Sequence, residues 1–202
     1  MIHNKAAQVY EQLTTNRWSY LDRGREVAAL TLPYVLPREG HGASDKLPTP
    51  YQGMGARGVN NLVAKLLLTL FPPSNAFFKL SVDPDAQKAA EAEGAEFGQE
   101  LEQGLAAMEQ LVMDEFETGN YRAKLAEAIR HIIIAGNAVI KMKSLGELVI
   151  YSLDQYVVDR DGSGNLLTLV VKESLSWRQV SPEIREALMV EGKIYKDEDS
   201  LE

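Results

Sequence analysis

The dominant spacing of apolar side chains changes near Asn137, and that change limits the folds open to this chain. As far as Gly136-Asn137 they recur every three or four residues, which gathers them on one face of an α-helix. Beyond Asn137 the period falls to two, the spacing of half-buried strands. Helices first and strands afterwards predict an α+β fold: long amphipathic helices followed by a small antiparallel sheet. The 202 residues are therefore expected to divide into a mainly helical segment, 1–136, and an antiparallel β segment, 137–202, with a short C-terminal helix.

The helical part has its own punctuation. From Ala6 to about Leu32, Val9, Tyr10, Leu13, Leu21, Val27, Ala28 and Leu30 predict one helix, stopped by Pro33 and Pro37. Residues 38–53 are rich in Gly, Pro, Ser and Asp and read as a long irregular loop, a kind that often carries function. Val59, Leu62, Val63, Leu66, Leu67 and Leu70 mark a second helix from Gly55 to Phe71, ended by Pro72-Pro73. Phe77 to Val82 alternate as a short strand would, and Asp83-Pro84-Asp85 turns the chain.

An acidic helix follows over 86–117, with Phe97, Leu101, Leu105, Met108, Val112 and Phe116 on its apolar face and Gly94 and Gly98 as weak points. Thr118-Gly119-Asn120 restarts the chain into a helix carrying Tyr121, Leu125, Ala128, Ile129, Ile132 and Ile133. Strands are predicted at 138–142, 148–151, 156–158 and 166–171, with Asp159 to Asn165 as a hairpin turn. Ser181 followed by Pro182 starts a last short helix.

Charge is segregated. Residues 1–82 carry a net +4, residues 83–118 a net −10 with Lys88 as their one base, and residues 119–202 a net −2. The total of −8 argues against a general nucleic-acid coat, although a local basic face remains possible. The absence of cysteine removes disulfides, Cys-based zinc sites and thiol nucleophiles. The longest apolar stretch, Leu66 to Phe71, falls far short of the roughly 20 residues of a membrane span, and the N-terminus has no secretory signal pattern.

Catalytic constellations are not found. His3, His41 and His131 lack the spacing of a zinc site, and His131, beside an apolar helical face, reads as a packed or surface histidine. Gly53-Met54-Gly55-Ala56-Arg57-Gly58 opens a helix where an anion could sit, but without a P-loop ending the glycines read as packing residues. Asp159, Asp161, Gly162 and Asn165 lack the closing glutamate of a calcium loop. The acidic face reads as solvated, or as the partner of a basic patch on another subunit. No catalytic residue, cofactor site or metal site is expected.

Arg57, Asn60, Asn61 and Lys65 share the polar edge of an otherwise apolar helix. Paired asparagines are unfavourable inside a helix, so their amides are expected to make specific hydrogen bonds, across a subunit interface or to backbone inside the fold.

The run from Thr49-Pro50-Tyr51-Gln52-Gly53-Met54-Gly55-Ala56-Arg57-Gly58 to Leu66, closed by Leu70-Phe71-Pro72, resembles the head-to-tail connector, or portal, proteins of short-tailed bacteriophages. Three further landmarks follow the same order: Val9-Tyr10-Glu11-Gln12-Leu13, Ile132 to Asn137, and Tyr156 to Asp161 with Gly164-Asn165. The resemblance implies a portal wing-like fold and a structural, non-enzymatic subunit of a dodecameric ring at one capsid vertex. Such a ring conducts double-stranded DNA, without base readout, during packaging and ejection. Its implied partners are further copies of itself, the major capsid and scaffolding proteins, a tail adaptor and the terminase motor, with no membrane. The landmarks match the N-terminal part of longer proteins, so the resemblance implies a fragment lacking stem, clip and crown.

Two other classes fit the residues less fully: a soluble helical module docking an acidic face on a basic partner, and a small hydrolase using converging carboxylates. In a ring each subunit presents two different patches to its neighbours. Arg57, Asn60, Asn61 and Lys65 on one side, and Glu100, Glu102 and Glu109 on the other, are the candidate subunit-interface residues.

Overall fold

Apolar spacing carries through into helices as far as Ala135 and into hairpins beyond it. In the computed structural model, which describes residues 2–42, 44–73, 76–83, 95–180, 182, 184–185 and 200–201, five helices come first. They are α1 (Ile2–Asn16), α2 (Trp18–Leu30), α3 (Met54–Leu70), α4 (Ala95–Thr118) and α5 (Tyr121–Ala135). Strands β1 (Val139–Ser144), β2 (Glu147–Tyr151), β3 (Tyr156–Arg160) and β4 (Leu166–Val171) follow, then the short pair β5 (Leu175–Ser176) and β6 (Ser200–Leu201). The class is α+β. The predicted turn at Pro84-Asp85, the start of the acidic helix over 86–94, and most of the helix predicted from Ser181 lie outside the described residues.

Compactness divides the chain into two units, residues 20–152 and residues 1–19 with 153–202. In the first, Ala28, Leu32, Val35, Leu36, Val59, Val63, Ile129 and Ile134 form the core, with Ala56, Leu66, Leu67 and Ile133 packed against it. Each large apolar side chain buried here contributes about 1.5–3 kcal/mol. Helix α3 packs on α5, and α5 also packs on β2. Gly55 allows the close approach at the start of α3, because a Cβ there would meet the Leu30 carbonyl oxygen at 2.7 Å. Gly136, at φ +78°, ends α5 in the left-handed conformation.

In the second unit α1 packs on β3. Tyr156 and Val157 at the start of β3 are almost fully buried. The Tyr10 hydroxyl donates to the Asp154 carbonyl at 2.6 Å. Arg17 donates to the carbonyls of Leu153, Tyr156 and Asp154.

Three expectations are corrected. The helix predicted over Ala6–Leu32 breaks at Arg17, where the N–H bonds three residues back to Thr14 O at 3.2 Å. Thr14, Thr15 and Asn16 are poor helix formers, and the Arg17 side chain is engaged by carbonyls of residues 153–156. Phe77 to Val82 form no strand. Phe77 instead packs edge-on to Phe71 and Phe116, with ring centroids 5.2 and 5.0 Å away, and the Leu80 N–H goes to the Glu109 carboxylate. Finally, the strands form antiparallel pairs β1-β2, β3-β4 and β5-β6 rather than one sheet. The longer hairpins are held by different helices, β2 by α5 and β3 by α1.

Candidate subunit interface

Helix α3 buries Val59 and Val63 and turns its polar edge outward. Arg57, Asn60, Asn61 and Lys65 are all exposed, as are Ala64 between them and Leu68 one turn beyond. Its 17 residues contain no acid, and neither Arg57 nor Lys65 has an ion pair among the described residues. The amides of Asn60 and Asn61 likewise form no hydrogen bond there, so the described fold does not use them on its own backbone.

Helix α4 is the acidic counterpart, 24 residues without a base, running unbroken through Gly98 and Gly104. An aromatic cluster fixes one side of it: Phe116 stacks on Phe71 at 5.9 Å and on Tyr121 at 5.5 Å. Opposite Phe116, Gly104, Ala107, Leu111 and Asp114 form an exposed strip. Glu100 and Glu102 are exposed, and so are Met108 (58%), Leu111 (67%) and Val112 (49%). The sequence places Met108 and Val112 on the apolar face with Phe116; both are exposed while the Phe116 ring is packed. Glu109 is separated from the other candidates, since its Oε1 accepts the Leu80 N–H at 2.7 Å. Met108, Leu111 and Asp114 belong to the exposed side as well, and their three- and four-residue steps from Gly104 are the sequence signal for it.

The remaining polar groups support the fold. Arg122 sits 5.3 Å over the Phe116 ring and donates to the Phe71 and Pro72 carbonyls and to Glu117. The hydrogen bond from Arg122 holds the Glu117 carboxyl below its ordinary range. Burial pulls the Arg17 guanidinium below its usual value, opposed by Tyr10, Tyr156 and Asp154.

In the β3-β4 turn Asp161 accepts the Asn165 N–H at 2.7 Å and its side-chain amide at 2.8 Å. The carboxylate is thereby committed to the turn, and these bonds depress its pKa. Of the glycine segment, Gly55 is a packing residue, whereas a Cβ at Gly53 or Gly58 would meet nothing within 4 Å among the described residues.

His131 is buried and lines a cavity of about 270 Å³ with Tyr34, Val35, Ala123, Glu127 and Arg130. A groove of about 440 Å³ runs between Pro73, Ala76 and the Glu109 side of α4. Among the described residues, no group of three or more His, Asp or Glu is placed to hold a metal ion, and no helix is long and apolar enough to cross a membrane.

The family described as bacteriophage head to tail connecting protein matches residues 3–198. The chain is 31% identical to the portal protein of Escherichia phage T7, over 98% of its own length and 40% of that relative. It is 33% identical to the portal protein of Enterobacteria phage T3, over 93% of this chain and 35% of the relative. Against the portal protein of Enterobacteria phage SP6 it is 30% identical, over 98% and 38%. The chain thus spans about two fifths of the length of these curated relatives.

Proposed function

The chain belongs to the bacteriophage head to tail connecting protein family, and from that premise we propose that it acts as a structural subunit of a portal ring. The ring sits at one vertex of the virion capsid, carries the genome during packaging and ejection, and serves as the platform for the tail. Its role is mechanical rather than catalytic. Further copies of this chain are its first partners; capsid and scaffolding proteins, a tail adaptor, a packaging motor and passing double-stranded DNA complete the set.

One observation carries this reading on the structural side. Two helices of opposite charge, α3 and α4, each turn an outer face away from the core. A ring repeats one heterologous contact between two different patches, so each subunit needs two such faces. Arg57, Asn60, Asn61 and Lys65 supply one of them. Helix α4 supplies the other, with Glu100 on its exposed strip and Glu102 and Glu109 on the other side of the helix.

The test is the mass of the purified chain in solution, by light scattering across a concentration and salt series. A closed ring that loosens as salt rises supports the reading. Assembly that stops at a two-fold dimer refutes it, because an isologous contact does not propagate around a ring.

A further inference from the structure

We propose that the exposed face of α4 in one copy packs antiparallel on the exposed face of α3 in the next, with Leu68 seated over Gly104. This rests on the ring reading and adds to it the contact, its direction and its register.

Charge identifies the occupant. Helix α4 offers acids and no base, and α3 offers bases and no acid, so neither face suits a second copy of itself and each suits the other. Apolar surface supplies the adhesion that charge alone does not. Met108 and Leu111 stand out from α4, and Leu68, 60% exposed, stands out from α3.

Register follows from spacing. From Arg57 to Leu68 is a rise of roughly 16 Å, and from Asp114 back to Gly104 roughly 15 Å, at 1.5 Å per residue. Run antiparallel, Arg57 meets Asp114, Asn61 meets Leu111, Ala64 meets Ala107 and Leu68 meets Gly104. Run parallel, Leu68 would cover the Asp114 carboxylate and Arg57 would face Gly104, which desolvates two charges without pairing them.

Gly104 fits this account independently of charge. Glycine costs about 1 kcal/mol relative to alanine inside a helix. Among the described residues a Cβ at Gly104 would meet nothing within 4 Å, so the described fold has no need of glycine at that position. A helix arriving from outside does.

The chain has no cysteine, so a cross-link reports on one engineered pair alone. In the full chain carrying both Leu68→Cys and Gly104→Cys, mild oxidation at low salt is expected to give a ladder of covalent multimers. An equal mixture of the two single variants should stop at dimers. Gly104→Met is expected to lower the assembled fraction at least tenfold while the thermal midpoint stays level or rises.

Rings that form without the ladder and tolerate Gly104→Met would overturn the α3-α4 contact and leave the ring reading intact. A chain that stays monomeric at every concentration overturns the contact too, since the contact lies wholly within these residues.

Discussion

Glu109 on α4 accepts the backbone N–H of Leu80 at 2.7 Å, and this bond sets it apart from the other glutamates of its helix. Leu80 lies in an irregular segment, so the carboxylate satisfies an amide that no strand partner reaches. A net hydrogen bond to a charged group contributes about 1.5–3 kcal/mol, less where solvent has partial access. Glu109→Ala is therefore expected to cost about 1–2 kcal/mol in urea unfolding. Glu100→Ala and Glu102→Ala should stay within about 0.5 kcal/mol, as exposed positions do. Three equal effects would mean that Glu109 is as free as its neighbours.

Arg122 combines roles that lysine cannot. Its planar fork reaches the Phe71 and Pro72 carbonyls while its face lies over Phe116. Arg122→Lys is expected to destabilise the chain by about 2 kcal/mol, read from the denaturant midpoint. Glu117 adds a pH signature. Its folded pKa is depressed, so its contribution is present above the unfolded carboxylate value and is lost as pH falls through the folded one. Glu117→Gln should flatten the fall in thermal midpoint below about pH 4.3, the ordinary glutamate value. An unchanged acid slope would remove this pair from the pH dependence.

What local spacing made legible was the inventory of elements. The cores of α3 and α5 follow from the steps between Val59 and Val63 and between Ile129 and Ile133, and the β3-β4 turn follows from Asp161, Gly164 and Asn165. What it missed was decided by distant contacts. The break at Arg17 depends on carbonyls more than 130 positions away, and the irregular path at Phe77 depends on Phe116. A pattern of neighbours contains neither. The candidate interface lies between these cases. Arg57, Lys65, Glu100 and Glu102 are exposed, whereas setting Glu109 aside from them needed Leu80 in place. Secondary structure changes character near residue 137 while compactness changes at 19 and 152, so the two partitions cut the chain differently.

Arg17 is a polar anchor among the described residues of the unit built from residues 1–19 and 153–202. Its guanidinium serves the carbonyls of Leu153, Tyr156 and Asp154, and removing it takes one donor from each, while Asp154 keeps the Tyr10 hydroxyl. Arg17→Met keeps the apolar stem and is expected to cost about 3 kcal/mol. Tyr10→Phe removes one bond to Asp154 and should cost about 1 kcal/mol. Tyr10 also lies 5.9 Å from the Arg17 guanidinium, so the double variant is expected to fall short of the sum. A thermodynamic cycle over the four chains measures that shortfall; strict additivity would mean the two side chains act separately.

The two longer hairpins differ in how their outer strands are protected. On β1, Lys141 and Lys143 interrupt the apolar residues, a common defence of an unpaired edge. On β4, Leu166-Leu167-Thr168-Leu169-Val170-Val171 carries no charge and no proline, pairs among the described residues only with β3, and leaves Leu166, Leu167 and Leu169 exposed. Such an edge recruits further strands wherever it is left open. Thr168→Lys places a charge at the middle of the strand, on an exposed position that the hairpin core does not use. The variant is expected to raise the concentration at which the purified chain begins to scatter light by several-fold, with a thermal midpoint near that of the parent. If lysine at position 168 leaves the onset unchanged, association proceeds through another surface. The apolar sequence of β4 would then need an explanation other than strand pairing.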